Sequence, residues 1–431
     1  MATNTNELIT KLKIVLDKSS LDNIQKSLSK KDLTVKTEIE VNEKTSTDSI
    51  KNVMKNFSKL IPTSQIIGGF TNGLQQAIKE LKEIDTYLTG ISKANYTLSK
   101  SELTQIADNS FDIASKYGKK SADYLAAVQE MTHAGYKNAE DLAELSIAVQ
   151  SANSMTSEAA NSYIIATDKA YSYNGSVEKL KKTLDGANYI ASKNTVSMTE
   201  LASGMSIVGS KAASLGVDAN ETTAILGTMI ATTRQSGSEM ANAFQTILLN
   251  MQQIVNEENG IDAKGLTKYE EACKALNVSL RETKNGITTL RNPMEILKDL
   301  ATEYSKLDSG DVRRTNLLDS VGGELNANAF NAILENYDAY ETMLGQYADG
   351  MGSIDREAEK TANSWEGSLN RLSNTWTDFI NNFVETDSVK DIINFLNSVV
   401  SLLDKMTEKF SSNSLIIGGL GTSLMNILGL D

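Results

Sequence analysis

Few side chains in this sequence are of the types that carry out covalent or metal chemistry. The 431 residues include one histidine, His133, and one cysteine, Cys273. A thiol and an imidazole are enough for a nucleophilic dyad, but Cys273 stands between Tyr269 and Leu276 at the spacing of the core face of a helix. We therefore predict a buried thiol, and a structural role for His133 near the last carbonyls of a helix.

The side chains that usually form metal and redox sites, histidine and cysteine, are scarce in this sequence. A metal site would need ligands that are almost all carboxylates, and no disulfide can form within the chain. The 55 acidic residues offer carboxylate pairs throughout, and nearly all of these belong on solvated faces. The sequence predicts no catalytic residue, no metal ligand and no cofactor.

Charge and composition limit the partners. Against the 55 acidic residues stand 42 basic ones, a formal net charge of −13, so most of the surface repels a phosphate backbone and sequence-specific nucleic-acid binding is not expected. The start, MATNTNELITKLK, lacks the features of a signal peptide, so secretory export is not expected. The chain contains only two prolines, Pro62 and Pro293. Because proline breaks helices, so low a number favours long helices.

The stretch from Ser197 to Val255 contains three amphipathic segments, and each begins with a capping box. We predict three consecutive short helices. They are joined near Gly216 and Gly237, where a left-handed or tight backbone is easiest for a residue without a Cβ. The three boxes are Ser197 with Glu200, Asp218 with Glu221, and Ser236 with Glu239.

Further elements are predicted on both sides of this stretch. Four or five helices are expected over residues 101–191, separated at glycines. Downstream, Asn285-Gly286 between short alternating arms predicts a β-hairpin, and Asn292-Pro293 predicts the start of the next helix. At the N-terminus, alternation in residues 12–16 and 33–41 around a helical segment predicts a small β-α-β element.

Two runs of apolar residues toward the C-terminus step by four and three without a fault, from Ala358 to Phe383 and from Val389 to Phe410. Each predicts one long helix with an a/d seam. The helices could pair with each other as an antiparallel hairpin, or join copies of themselves in a parallel bundle. Packing alone explains the tryptophans of the seam, and self-assembly is the competing role. We assign a self-assembly seam to Trp365, Leu369, Leu372, Trp376, Phe379, Phe383, Leu396 and Leu403.

The last apolar run, Ser414 to Leu430, contains no charged residue. As a helix it would span about 26 Å, slightly less than the roughly 30 Å of a bilayer core. A bundle helix and a membrane-active segment both remain open. The residues that would enter a membrane are Leu415, Ile416, Ile417, Leu420, Leu424, Ile427 and Leu428.

The predicted fold class is mainly α, with a multi-helix core, the small N-terminal β-α-β element, one β-hairpin near residues 278–290, and long heptad-patterned helices toward the C-terminus. The predicted domains are the N-terminal element and linker (1–49), a helical connector (50–97), the helical core (98–256), a helix, hairpin and helix subdomain (257–350), coiled-coil-like helices (351–410) and the apolar end (411–431).

The central stretch resembles the core region of the phage tail tape-measure family. The similarity is carried by TELA at 199–202, ETTA at 221–224 and AFQ at 243–245, and the elements around them extend it from about Leu98 to Phe383. The resemblance implies a structural, non-enzymatic protein. Such a protein is a template that sets tail length, lines the lumen of the tail tube and is released during DNA delivery.

The resemblance also implies partners and a place. These are a homo-oligomer, as a trimer or higher, together with the tail tube protein, tail assembly chaperones and baseplate or distal tail proteins. Contact with the host membrane is implied for the apolar end. The protein would occupy the host cytoplasm during assembly and then the lumen of the virion tail. Because the region after Ile354 would reach only about 115 Å as a helix, we expect the chain to be a fragment.

Two other function classes are considered. Some tape-measure proteins degrade peptidoglycan, and Gly73-Leu74-Gln75-Gln76 is loosely similar to the cleft motif of lytic transglycosylases. No Glu-Ser pair precedes it to supply the catalytic acid, so a plain helix is predicted. A zinc peptidase would need several histidines. The remaining alternative is a bacterial helical membrane or signalling protein, which gene context would distinguish.

Overall fold

The computed structural model describes residues 63–253 and 267–383, and these residues are mainly helical. They form sixteen α-helices and one two-stranded antiparallel sheet. The predicted mainly α class is therefore confirmed. Three predicted parts lie outside the described residues: the N-terminal β-α-β element with its linker, the heptad run from Val389 to Phe410, and the apolar run from Ser414 to Leu430.

The elements follow one another in a simple order, with the hairpin between α10 and α11. The helices are α1 (Thr63–Ala94), α2 (Lys100–Tyr117), α3 (Ser121–His133), α4 (Ala139–Asn153), α5 (Ser157–Tyr171), α6 (Val177–Lys193), α7 (Met198–Ser214), α8 (Ala219–Thr233), α9 (Gly237–Gln252), α10 (Lys268–Ala275), α11 (Pro293–Tyr304), α12 (Val312–Asp319), α13 (Glu324–Glu335), α14 (Tyr337–Asp349), α15 (Ser353–Ala362) and α16 (Trp365–Phe383), and the strands are β1 (Arg281–Lys284) and β2 (Ile287–Leu290).

The described residues divide into two compact units. The first consists of residues 63–89, Ala107–Ala122 and residues 363–383. The second consists of Gly90–Ile106 and Asp123–Ala362, without residues 254–266. The second unit contains helices α4 to α15 and the hairpin.

Helix α7 lies at the centre of the second unit, where it packs against α5 and α9. Helix α14 packs on α6 and α8, and α15 packs on α4. The apolar face of α7 is buried through Leu201, Met205, Val208 and Ala212. Each large apolar side chain removed from water stabilises the unit by about 1.5–3 kcal/mol, so this stripe explains why α7 is central.

The three helices predicted from capping boxes are confirmed as α7, α8 and α9. Ser197 accepts the Glu200 N–H at 3.2 Å and donates its own N–H to the Glu200 carboxylate at 3.0 Å. Ser236 and Glu239 repeat both distances at the start of α9. At α8, Glu221 accepts the Asp218 N–H at 2.9 Å. Each box provides partners for N–H groups that a helix start leaves unpaired.

The two glycines predicted at the joints meet different needs. Gly216, between α7 and α8, has φ +76°, a conformation that favours a residue without a Cβ. Gly237 is the first residue of α9, and a Cβ there would overlap the backbone carbonyl of Glu200. Gly216 therefore allows a left-handed turn, and Gly237 allows α7 and α9 to approach closely.

The predicted hairpin is confirmed, with a two-residue turn at Asn285-Gly286. Both turn residues have positive φ, 55° and 80°, as a type I′ turn requires. Lys284 lies opposite Ile287, and Thr283 lies opposite Thr288. The following helix also begins as predicted, because Asn292 accepts the Met294 N–H at 2.8 Å with Pro293 in the first turn.

The prediction of one helix from Ala358 to Phe383 is wrong. The chain leaves helical geometry at Asn363-Ser364, so α15 ends at Ala362 and α16 begins at Trp365. The physical reason is a cap, since the Ser364 hydroxyl accepts the Gly367 N–H at 3.2 Å. The apolar spacing continues across the break, but two helices carry it.

Within residues 63–253 and 267–383, none of the helices combines the length and the apolar character needed to cross a membrane.

Candidate functional site

Cys273 and His133, the two residues considered for a nucleophilic dyad, lie in different surroundings. Cys273 on α10 is fully buried, as predicted. Burial raises the pKa of its thiol to about 12, so the nucleophilic thiolate is nearly absent at neutral pH. His133 ends α3 and is exposed. Over the described part of the chain, no cluster of three or more His, Cys, Asp or Glu side chains is suited to a metal.

Two buried carboxylates instead hold turns of the second unit in place. Asp168 on α5 is 3% exposed, and Asp185 on α6 is 2% exposed. A buried carboxylate is costly unless hydrogen bonds replace its water. Both side chains obtain these bonds from turns that lie elsewhere in the chain, so the candidate functional features of this unit are structural joints.

Asp168 joins the turn after α3 to the turn after α5. Its carboxylate accepts the Tyr136 hydroxyl at 2.8 Å and the Gly175 N–H at 2.7 Å. Asn138 donates to the Gly175 carbonyl at 3.0 Å. Lys169 lies 5.0 Å from the centre of the Tyr136 ring. Tyr136, Asn138, Asp168 and Lys169 line one depression, and both carboxylate oxygens of Asp168 already accept hydrogen bonds from within the protein.

Asp185 caps a helix that is remote in sequence. Its two carboxylate oxygens accept the N–H groups of Gly352 at 2.9 Å and Ile354 at 3.0 Å, at the start of α15. Its backbone carbonyl accepts the Ser353 hydroxyl at 2.7 Å. A negative charge at this end of α15 also interacts favourably with the helix dipole. We call Asp185, Gly352, Ser353 and Ile354 the α15 socket.

Close backbone packing and an ion pair complete the surroundings of the α15 socket. A Cβ on Gly350 would lie 2.6 Å from the Asp185 carbonyl oxygen, so this glycine is required for the approach. Lys181 and Asp355 form an exposed pair at 2.5 Å, which contributes little because water screens it. Helix α15 itself buries few apolar side chains, namely Ile354, Ala358 and Ala362.

In the first unit, α16 is held by polar contacts as well as apolar ones. Glu80 on α1 accepts the Ser373 hydroxyl at 3.0 Å and the Thr377 hydroxyl at 2.6 Å. Asn374 donates to the Lys119 carbonyl at 2.8 Å and accepts the Ser121 N–H at 3.2 Å. These side chains bind the polar groups of the turn between α2 and α3, and so determine where α16 docks.

The seam residues differ in how far they are buried. Leu372 and Trp376 are buried, whereas Trp365 and Leu369 are half-buried. Phe379 and Phe383 belong to α16, but their side chains are not among those described. Leu396 and Leu403, together with the membrane candidates from Leu415 to Leu428, lie outside the described residues. Their self-assembly and membrane roles remain predictions.

The sequence pattern did not identify the two buried carboxylates as joints. An available signal was an acid on the apolar face of a helix, since Asp185 lies among the buried Leu180, Leu184 and Ala187 of α6. Such a position shows that a carboxylate needs internal donors. It does not show which turn supplies them, because the socket is formed by residues more than 150 positions away.

The described residues form a mainly helical protein in which buried carboxylates hold turns together by hydrogen bonds. A family model named phage-related minor tail protein matches residues 107–323, slightly more than half of the chain. The chain belongs to that family. It is thus a phage tail protein, with a structural role in the tail and other tail components as its partners. No solved structure matches the chain.

Proposed function

We propose that the chain is a tape-measure protein, a template that sets the length of the phage tail. The observation that carries this proposal is the match to phage-related minor tail proteins over residues 107–323. That region contains the helices α7, α8 and α9, on which the tape-measure resemblance rests. A structural tail role is established by the family, and the ruler role goes beyond it.

The second unit would be a compact hub, and the chain after it would be the ruler. A ruler needs a length that is proportional to the number of residues, and an α-helix supplies this at about 1.5 Å per residue. Helix α16 is the first element after the hub, and a second heptad-spaced run, from Val389 to Phe410, follows in the sequence after a break at Glu385 to Ser388. Tube subunits would polymerise along this extension, and the protein would then line the lumen of the finished tube.

Self-assembly through the seam is part of the proposal. The half-buried Trp365 and Leu369 retain surface that another copy could cover, whereas the buried Leu372 and Trp376 are already packed in the first unit. A seam of this kind supports a bundle of several copies. Release ahead of the DNA is also compatible with the acidic chain, because its net charge of −13 disfavours retention by a phosphate backbone.

The experiment that tests the ruler is a series of in-frame deletions and insertions in the full gene after Phe383, made in multiples of seven residues so that the seam is kept. Tail lengths are measured by electron microscopy. We expect each heptad to change the tail by about 10 Å. A matched variant that scrambles one heptad at constant length controls for damage to assembly. Tails of unchanged length across the series would end the ruler proposal while leaving the family membership intact.

A further inference from the structure

The two strands of the hairpin have very different outer edges. Strand β1 reads RETK and contains three charged side chains, whereas β2 reads ITTL and contains none. Natural proteins protect open strand edges with charges, since an unprotected edge pairs with other strands. Only one of the two edges in this hairpin has that protection.

The register shows which backbone groups point outward. The Arg291 N–H donates to the Leu280 carbonyl at 2.9 Å, so these two residues form a hydrogen-bonded pair. Pairs alternate along an antiparallel ladder, and the Thr283–Thr288 pair is therefore a non-hydrogen-bonded one. The 3.0 Å contact between the two threonine hydroxyls fits the shorter spacing of such a pair. The backbone N–H and C=O groups of Thr283 and Thr288 thus point away from the partner strand, toward the outer edges of the hairpin. Arg281 and Leu290 form the next non-hydrogen-bonded pair, so their backbone groups also point outward.

The outer edge of β1 is closed at its start. The Ser279 hydroxyl accepts the Arg281 N–H at 3.3 Å and donates to the Arg281 carbonyl at 2.7 Å. On β2, no partner is found among the described residues for the outward backbone groups of Thr288 and Leu290. Ile287, at the start of β2, is 66% exposed. The edge of β2 is therefore open, uncharged and rich in β-branched residues.

The base of the hairpin is firmly attached to the second unit. Arg291 donates to the Ser279 carbonyl at 2.9 Å and to Asp299 at 2.7 Å. Arg281 donates to the Gln253 carbonyl at 3.0 Å and pairs with Glu270 at 3.4 Å. These contacts hold the open edge in a fixed orientation and balance the nearby positive charges. A lone two-stranded hairpin is marginally stable, so an exposed, anchored one is suited to receive further strands.

We propose that β2 pairs antiparallel with β2 of a second copy of this chain, forming a four-stranded sheet across a local two-fold axis. In the register that the outward groups permit, Thr288 lies opposite Leu290 of the second copy and Thr289 lies opposite itself. Each Thr288–Leu290 pair exchanges two hydrogen bonds. The three residues paired in this ladder, Thr288, Thr289 and Leu290, are uncharged, whereas a net charge of −13 makes two copies of the chain repel each other elsewhere. The charges of β1 lie one strand away from it.

The association is tested first with two proline variants of the full chain. In Thr288→Pro the lost N–H points outward from β2, so the hairpin keeps its own backbone ladder. It loses the hydroxyl contact with Thr283 and the backbone bond to the second copy. Thr283→Pro is the matched control, because it removes the equivalent N–H on β1 and disturbs the same threonine pair. Sedimentation velocity over a range of concentrations measures the dissociation constant of the dimer. Relative to wild type, this constant should be at least about tenfold higher for Thr288→Pro and unchanged for Thr283→Pro. Equal behaviour of the two variants would overturn the proposal.

Cysteine cross-linking supplies a readout that does not depend on proline. Thr289 faces Thr289 of the second copy in a non-hydrogen-bonded pair, whose Cα spacing suits a disulfide, and the single native thiol at Cys273 is buried. With oxidised glutathione, which is reduced as the two thiols join, Thr289→Cys should give a covalent dimer, and Glu282→Cys, on β1, should not. A monomeric Thr289→Cys chain would show that a segment of the same chain, or nothing, occupies this edge.

Discussion

At the scale of single residues, Gly237 shows how one missing side chain permits two helices to meet. A Cβ at this position would overlap the carbonyl of Glu200, which belongs to α7 and cannot move as a flexible side chain does. Gly204, one turn further along α7, is also tight, since its Cβ would lie 3.3 Å from the carbonyl oxygen of Gly237 on α9. The contact between α7 and α9 thus depends on glycine at the helix surface.

We predict that Gly237→Ala lowers the free energy of unfolding by about 1–3 kcal/mol, because the helices must separate to admit the methyl group. Gly345 on α14 is the control, since nothing lies within 4 Å of its Cβ position. Gly345→Ala should raise the free energy of unfolding by up to about 1 kcal/mol through helix propensity. Urea unfolding of both variants measures the difference, and equal effects would contradict the steric explanation.

The buried thiol makes stability depend on alkaline pH. The folded-state pKa of Cys273, about 12, lies above its ordinary value of 9.0 because of burial. Its contribution to stability is therefore fully present below pH 9 and is lost as the pH rises toward 12, since the unfolded chain ionises first.

We predict that, above pH 9, the free energy of unfolding of wild type falls by up to about 1.4 kcal/mol more per pH unit than that of Cys273→Ala. The measurement is the free energy of unfolding of both proteins at pH 7 and pH 10, in which the tyrosines common to both cancel. Parallel pH profiles would show that the thiol ionises without unfolding.

At the scale of elements, the hydrogen bonds at helix ends determine where the helices begin and, for α15, how the helix docks. The boxes at Ser197 and Ser236 start their helices through local bonds, and the same physics ends the predicted long helix at Ser364. Helix α15 is a different case, because its start is capped by Asp185 from α6. Since α15 buries mainly alanines, this cap makes a large contribution to its docking.

We predict that Asp185→Asn increases amide exchange in α15 about tenfold, since an asparagine offers one acceptor where two N–H groups require acceptors, and a lost cap costs about 1 kcal/mol. Asp168→Asn is the matched control, because that acid is equally buried but holds the turn at Gly175. Hydrogen exchange with peptide resolution should show faster exchange at α15 only in the first variant. Faster exchange of α15 in both variants would indicate global destabilisation instead.

At the scale of the whole molecule, the sequence predicted what depends on local pattern. The mainly α class, the three capped helices, the Asn285-Gly286 turn and the buried Cys273 all follow from residues that are neighbours in the chain. The Asp185 and Asp168 joints do not, because their partners are brought together only by tertiary packing. The break at Ser364 was missed for another reason, since apolar spacing continues through a cap without a change of period.

The acidity of the chain gives a prediction at this scale. We expect no binding of a labelled 20-base-pair duplex at about 150 mM salt, because a chain of net charge −13 releases few counterions from DNA. Fluorescence anisotropy measures this directly. Binding at micromolar concentration would require a basic surface that the overall charge conceals, and would also weaken the argument for release ahead of the DNA.

The break between α15 and α16 also limits which residues of a ruler would contribute to its length. Because α15 is fixed to α4 and to Asp185, its residues belong to the hub and add no length. Counting from Trp365 instead of Ile354 shortens the measuring segment by about 16 Å. Under the proposed function, the measuring segment begins no earlier than Trp365, after the Ser364 cap, and no residue of α15 adds to tail length.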